Sequence, residues 1–576
     1  METTGPGAKP IAMEDYKPYS SRVRSYEVVT VAPAEADTME QLDDDKFWDF
    51  LNNWEPKVEF PKDGNSVRED LHPLAGKFAD LVVRKPERFT PASQWWKRAT
   101  RPLMLYRVLE RASAHFVQKQ HDEKNAIPAP SEHDWDNWFG IIGWILERKT
   151  ASAARTASST ENQPDWGYGW SSISRLLRMI IRSNYAIPES RLGPLRAVLE
   201  YLFEEDSEEW DGHTRSGMND WYATAINSDR GNAVEALVYL GLRQKNEGRA
   251  VETWIFDLIK HCLERPKESP ATFSLLGVHL GQTAYAFGEN FKRCSDLLFP
   301  SDRPIHCKAA VISHFRYSQP HKLILDTVPK LPETALDILK SETAAMQDSN
   351  EKQEWRDFGS RFGVHLAFYF WTGAFASNQT AQKFQDAFFA SASKSARKGL
   401  IHHIGQAFRN ADESLEKNIL KRTMQIWERR VGKIKSALKS GHQPRDDFDG
   451  ELSEFQDWLD CECFPLDWRL SNAEEAIRLI SKSPQPYGLI RTIVRFGQKP
   501  ELLAAGIKLF HAILAKPGDE LRWSVNYKEL GPVLSSGLKS NVEAVRRCSK
   551  ECLDRVLLLG CSDFAQLASD EHSGLD

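Results

Sequence analysis

Few residues in this sequence stand at spacings that could do chemistry. Cys461 and Cys463 form a C-x-C pair beside Phe464-Pro465, and Cys548 and Cys552 lie four apart on a helical stretch. Thiolates so spaced can grip a soft metal ion, but a structural zinc site needs four ligands and neither pair has a second half. His402 and His403 are adjacent, so on a helix they leave the axis in different directions and cannot share an ion. Arg397 and His402 are five apart, an R-x₄-H spacing that reads as a candidate pair for chemistry. The alternative is that Arg397 is a solvated or salt-bridged helix residue, and Arg316 and His321 repeat the same spacing with Pro320 inside it. No G-x-x-x-x-G-K-[ST] loop occurs, and Gly537-Leu538-Lys539-Ser540 lacks the required order. No G-x-G-x-x-G follows a strand and no G-x-S-x-G elbow appears. A Ser-His-Asp or Cys-His group is recognised by geometry rather than position, so none is assigned. The expectation is a chain with no catalytic residue, no metal ligand and no cofactor.

The elements that would have to position such residues read as helices. The chain has 576 residues, too many for one ordinary core, with 41% hydrophobic residues and unremarkable glycine (33) and proline (29). Tryptophan is plentiful at 18, and large aromatics anchor cores and interfaces alike. Lys+Arg (75) and Asp+Glu (81) are interspersed for a net charge of −6, a balance that argues against a nucleic-acid partner. Eight scattered cysteines suggest a reducing compartment. No secretory signal is visible and no run reaches the roughly 18 apolar residues of a membrane span, so a cytoplasmic location is expected.

Asp43-Asp44-Asp45 before Phe47, Trp48, Phe50, Leu51 and Trp54 reads as an acidic helix start with an apolar stripe. Helices are expected at about 66–83, 102–120 and 135–148, and onward to about 541–558, separated by proline-marked turns. Strand-like alternation is scarce apart from Tyr26–Val31. The pattern predicts an all-α fold, an extended α-solenoid of degenerate TPR/HEAT-like helical hairpins, without a clean repeat period. The expected organisation is a flexible arm over 1–38, helical repeat regions over 39–265, 266–440 and 441–566, and a disordered tail over 567–576.

Residues 164–243 form the densest block. Ser228 or Asp229 can cap a helix that starts near Arg230. Gly231 and Ala233 permit close approach of a neighbour, and Asn227 and Arg230 can bond nearby carbonyls and pin the inter-helix loop. Asn227, Asp229, Arg230 and Gly231 therefore read first as a structural corner. The aromatic and acidic residues around it, Trp166, Tyr168, Trp170, Glu208, Trp210, Trp221 and Tyr222, are the candidate partner-binding residues, although most tryptophans are expected in the core. The acidic run at 204–209 reads as a solvated face that could also dock a basic surface.

The Asp165-Trp166-Gly167-Tyr168 and Ile226-Asn227-Ser228-Asp229-Arg230-Gly231-Asn232-Ala233-Val234-Glu235-Ala236 segments resemble the helical C-terminal region of large bacterial STAND NTPases, including the antiviral Avs proteins. There a W-T … INxxRGxAxxA pattern recurs in similar order. Pro86-Glu87-Arg88-Phe89, Trp427-Glu428-Arg429-Arg430, Glu454-Phe455-Gln456-Asp457-Trp458 and Phe464-Pro465-Leu466-Asp467-Trp468 extend the similarity over residues 40–515. In that family an effector precedes a STAND ATPase and a helical sensor, and the sensor binds a phage protein and releases the ATPase to oligomerise. The motifs of the ATPase and effector are not in this sequence. The resemblance therefore implies a sensor-like region, standing alone or cut from a longer protein. It would bind a phage protein and relay that event to an ATPase or effector on another chain. Two other readings stand beside it: a scaffold or regulatory subunit of a multi-protein defence complex, and a ribonuclease, because Arg397 and His402 match the R-x₄-H motif of helical HEPN domains.

Overall fold

The computed structural model describes residues 29–31, 36–55, 58–59, 67–69, 71–118, 130–151, 166, 169–183, 185, 187–205, 221–345, 352–409, 416–441, 445–481, 487–516 and 526–568. Its helices are α1 (Ala36–Glu40), α2 (Asp44–Asn53), α3 (Leu71–Arg84), α4 (Pro102–Gln118), α5 (Glu132–Ala151), α6 (Gly169–Arg182), α7 (Glu189–Glu205), α8 (Trp221–Ile226) and α9 (Asp229–Asn246). They continue as α10 (Thr253–Glu264), α11 (Pro270–Val278), α12 (Leu280–Phe287), α13 (Glu289–Leu298), α14 (Pro304–Tyr317), α15 (Lys322–Thr327), α16 (Leu331–Ala345), α17 (Lys352–Trp371) and α18 (Asn378–Ser391). The last are α19 (Lys394–Arg409), α20 (Lys417–Ser440), α21 (Asp449–Ser453), α22 (Phe455–Leu459), α23 (Leu466–Leu479), α24 (Tyr487–Gly497), α25 (Leu503–Leu514), α26 (Tyr527–Leu538) and α27 (Glu543–Leu558). The fold is all-α in class, a run of short helices stacked as irregular hairpins.

Three short strands interrupt the helices; the first falls within the β-like run expected at Tyr26–Val31, while the other two depart from the helical expectation. β1 (Val29–Val31) pairs parallel with β3 (Val67–Glu69), and β2 (Val58–Glu59) pairs antiparallel on the other side of β3. The helix expected from 66 begins instead at Leu71. Proline favours this boundary: Pro73 has no N–H and its ring clashes with the carbonyl four residues back, which disfavours a helix running through 67–69. The strand at 29–31 and α1 likewise give regular structure to part of the expected arm. Residues 1–28 of that arm, and 569–576 of the expected tail, lie outside the described residues, as does most of the expected loop at 149–164.

Two compact units divide the chain, Met1–Val198 and Leu199–Asp576. The first has an aromatic core. Phe47, Trp48, Phe78, Phe89 and Trp95 are buried with ring centroids 5.2 to 6.4 Å apart. Asp43 caps α2, its carboxylate accepting from the Lys46 N–H at 2.9 Å. The Trp95 indole donates to Asn137 Oδ1 and the Asn137 amide donates to the Phe89 carbonyl, both at 3.0 Å. This chain satisfies the polar atoms that burying the rings would otherwise strand.

In the second unit many helices pack against those two or three further along. α8 and α9 pack on α11, α11 on α14, α14 on α17, α17 on α19, α19 on α21 and α22, and α25 on α27. Nearest-neighbour stacking of this kind distributes the core along the array. The α11–α14 crossing is tight because Gly277 faces the backbone of Ala310, where a Cβ would lie 2.1 Å from the carbonyl oxygen. Ser274 and Ser313 also share a hydrogen bond of 2.6 Å across it. Among the described residues no helix is long and apolar enough to cross a membrane.

Candidate functional site

The residues singled out around 164–243 separate in the structure. Trp170 is 7% exposed and lies on the core stripe of α6 with Ile173, Leu176, Leu177, Ile180 and Ile181. That three-and-four spacing turns one apolar face inward, so Trp170 is a packing residue and not the surface contact expected of it. Trp166 is half-buried. Tyr168, Glu208 and Trp210 lie outside the described residues.

The corner at α8–α9 is built from local chemistry. Ser228 is the N-cap of α9: its Oγ accepts from the Gly231 N–H at 2.9 Å and donates to the Ala225 carbonyl at 2.9 Å. The Asn227 amide donates to the Ala223 carbonyl at 2.8 Å, and Asp229 occupies the first turn of α9, where a carboxylate favours the helix dipole. A Cβ on Gly231 would stand 1.9 Å from the Ala225 carbonyl oxygen, so only glycine fits. Arg230 is buried, donates to the Phe203 carbonyl at 3.0 Å and lies 5.1 Å over the Phe203 ring. Asn227, Ser228 and Gly231 thus fix the angle of α8 to α9, while Arg230 ties α9 to α7.

That angle presents Trp221 and Tyr222. The Tyr222 ring lies 4.8 Å from the ring of Tyr317, the last residue of α14. Tyr317 is 42% exposed and carries the Arg316 guanidinium 5.2 Å over its face. Trp221 is half-buried, and its indole N–H has no hydrogen-bond partner among the described residues. α8 rests on α11 and α11 locks onto α14 at Gly277, so packing joins residues 95 positions apart in the sequence. Tyr317 and Arg316 carry no local signal of this role, and only the α11–α14 crossing reveals it.

Beneath this patch the crossing is sealed by uncharged imidazoles. The His314 Nδ1–H donates to the Gly277 carbonyl at 3.1 Å and the His365 Nε2–H donates to the Ser318 carbonyl at 3.1 Å. Burial pushes the His314 pKa down to about 4 and that of His365 well below its ordinary value.

The Arg397–His402 pair does not converge. Five residues apart on α19, the two side chains leave the axis about 140° apart. The Arg397 guanidinium donates to Glu451 at 3.2 Å and to the carbonyls of Ala392 and Asp447 at 2.7 and 3.0 Å. His402 Nδ1 instead lies 3.0 Å from Glu454 Oε2 and 2.7 Å from Asp457 Oδ2 on α22. These three side chains place ligand atoms within 4.8 Å of one another, the grouping among the described residues that could hold a metal ion. Lys398 and Gln406 already complement the same carboxylates, and burial raises the Asp457 pKa, so the cluster is self-contained. All eight cysteines are free thiols. Burial pushes Cys461 up to about 12, and Cys552 is also raised by burial, which keeps these sulfurs protonated and poor ligands.

No protein-family model matches the sequence, and no curated protein does. Among solved structures the chain is similar to an engineered protein at 12% identity, covering 84% of this chain and 98% of that one with a TM-score of 0.25. It is also similar to Kap121p, solved bound to Ste12p, at 11% identity, covering 92% of this chain and 65% of that one with a TM-score of 0.18. At those scores neither likeness bears on what this chain does.

Proposed function

We propose that this chain is a non-catalytic recognition module that binds another protein through its helical-repeat surface. The observation that carries the reading is the patch at the end of α14, where the Tyr222 and Tyr317 rings pack and Arg316 lies over Tyr317, with Trp221 next to Tyr222 at the start of α8. Tryptophan, tyrosine and arginine dominate interface hot spots because they combine large contact area with few rotamers to lose. A helix corner fixed by a cap, a buried arginine and an obligatory glycine pre-organises such a patch.

The resemblance of the 165–236 block to the sensor region of Avs-like STAND NTPases supplies the partner: a phage-encoded protein. On this reading the chain works in the bacterial cytoplasm and relays binding to a STAND ATPase or effector on another chain. The scaffold reading uses the same surface with a host-encoded defence subunit as its occupant. The ribonuclease reading has no support from the divergent Arg397 and His402.

Affinity purification from bacteria before and after phage infection tests this function. Wild-type protein should enrich a phage protein after infection, while folded Tyr317→Ala or Trp221→Ala should lose it by about tenfold or more. Equal recovery by all three proteins would remove the patch from the account. Enrichment of a host subunit regardless of infection would favour the scaffold.

A further inference from the structure

A cavity of about 390 Å³ opens between α18, α19 and α20, away from the patch described above in both sequence and chemistry. Its wall is cationic. Arg397, Arg429, Arg430 and Lys433 contribute four positive charges, and the carboxylates that meet them are Asp386 and Glu451. The excess of positive charge is therefore two.

The hydrogen bonds show which donors remain. Asp386 takes the Nε and Nη2 edge of Arg429 at 3.0 and 2.6 Å. Glu451 takes the same edge of Arg430 at 2.8 and 2.6 Å. The Nη1 groups of both arginines make no hydrogen bond to a described residue, and Lys433 Nζ is 3.8 Å from its nearest carboxylate. A second observation is independent of these charges. Gln385 lines the cavity, is only 6% exposed, and its Nε2 is buried without a partner among the described residues. A native interior seldom leaves an amide donor stranded, because doing so forfeits its bond to water with nothing in return.

The remaining wall is apolar and aromatic. Phe389, Phe448 and Ile426 line it, and the Arg430 guanidinium sits 4.5 Å over the Phe389 ring. We infer that this cavity binds a small organic anion, with a phosphate or carboxylate headgroup on the Nη1 groups of Arg429 and Arg430, Lys433 and Gln385, and an apolar body against Phe389 and Phe448. Two carboxylates fix the guanidinium planes in advance, so the ligand pays little to order them. The cavity volume falls in the range of small-molecule sites. This site is independent of the recognition reading: either can stand if the other fails.

Isothermal titration of the full chain with phenyl phosphate, phenylacetate, inorganic phosphate and benzyl alcohol tests it. One of the two aromatic anions should bind saturably at one site, and the tighter of the two identifies the headgroup. Inorganic phosphate and benzyl alcohol, each offering half of the required chemistry, should bind at least about tenfold more weakly. Lys433→Gln and Gln385→Leu should each weaken binding about tenfold, and Gln385→Leu should also raise the melting temperature of the ligand-free protein, since it removes the stranded donor. Arg430→Gln is a poorer probe because it also strips Glu451. No saturable binding of either aromatic anion up to on the order of 10 mM, or binding unchanged in folded Lys433→Gln and Gln385→Leu, would overturn the assignment.

Discussion

Replacing His314 by asparagine should remove much of the acid sensitivity of the second unit. His314 is fully buried where α11, α14 and α17 meet, its Nδ1–H on the Gly277 carbonyl and its Nε2 without a partner among the described residues. Protonation would put a charge there, 5.2 Å from the His365 ring, so burial holds the pKa at about 4 against an ordinary value of 6.5. Folding thus lowers the proton affinity. The stabilisation is complete above 6.5 and is lost as pH falls toward 4, where the unfolded chain takes up a proton that the folded one refuses. The full difference, from 6.5 to about 4 at about 1.36 kcal/mol per pH unit, is about 3 kcal/mol, and roughly 2 kcal/mol is lost between pH 7.5 and 5. His365 acts in the same direction. Asparagine can still donate to the Gly277 carbonyl but does not titrate. Hydrogen exchange of α14 and α17 at pH 7.5 and 5, corrected for intrinsic rates, measures the local opening free energy. Wild-type protein should lose about 2 kcal/mol more than His314→Asn over that range. Equal losses in the two proteins would refute the argument.

Four further outcomes follow from packing and charge. Gly231→Ala should destabilise the second unit by about 2 kcal/mol or more, because its Cβ meets the Ala225 carbonyl. Gly432→Ala, with nothing within 4 Å, should stabilise it by up to about 1 kcal/mol, and thermal melts compare the two. Glu451→Leu should cost about 3–5 kcal/mol by leaving the buried guanidinium of Arg430 without its carboxylate and removing one partner of the half-buried Arg397, measured by urea denaturation. Tyr317→Ala should change stability by less than about 1 kcal/mol, since the ring is substantially exposed. A large loss there would make Tyr317 a core residue rather than a contact.

What the sequence made legible was local. Capping by Ser228, the need for glycine at 231 and the apolar stripes of individual helices all follow from neighbours close in sequence, none further than Ala225 is from Gly231, and the α8–α9 corner was readable for that reason. Charge partners were not readable, because Arg397 meets Glu451 54 positions away and nothing in its own surroundings selects that carboxylate over solvent. Trp170 looked like a contact because it sits in an aromatic cluster of the sequence, yet helical phase turns it inward. Tyr317 was missed for the opposite reason: an ordinary helix-terminal residue becomes part of an aromatic patch only through the glycine-tight crossing of α11 and α14. The strand at 67–69 was overrun by a helical reading that gave Pro73 too little weight.

Site-specific photo-crosslinking tests the central claim most directly. Benzoylphenylalanine placed at Tyr317, with Leu558 on α27 as a more exposed apolar control, reports which protein touches the patch in phage-infected bacteria. The account predicts an infection-dependent crosslink to one phage-encoded protein from position 317 and none from 558. No crosslink from 317 in folded protein, or the same products from both positions, would contradict it.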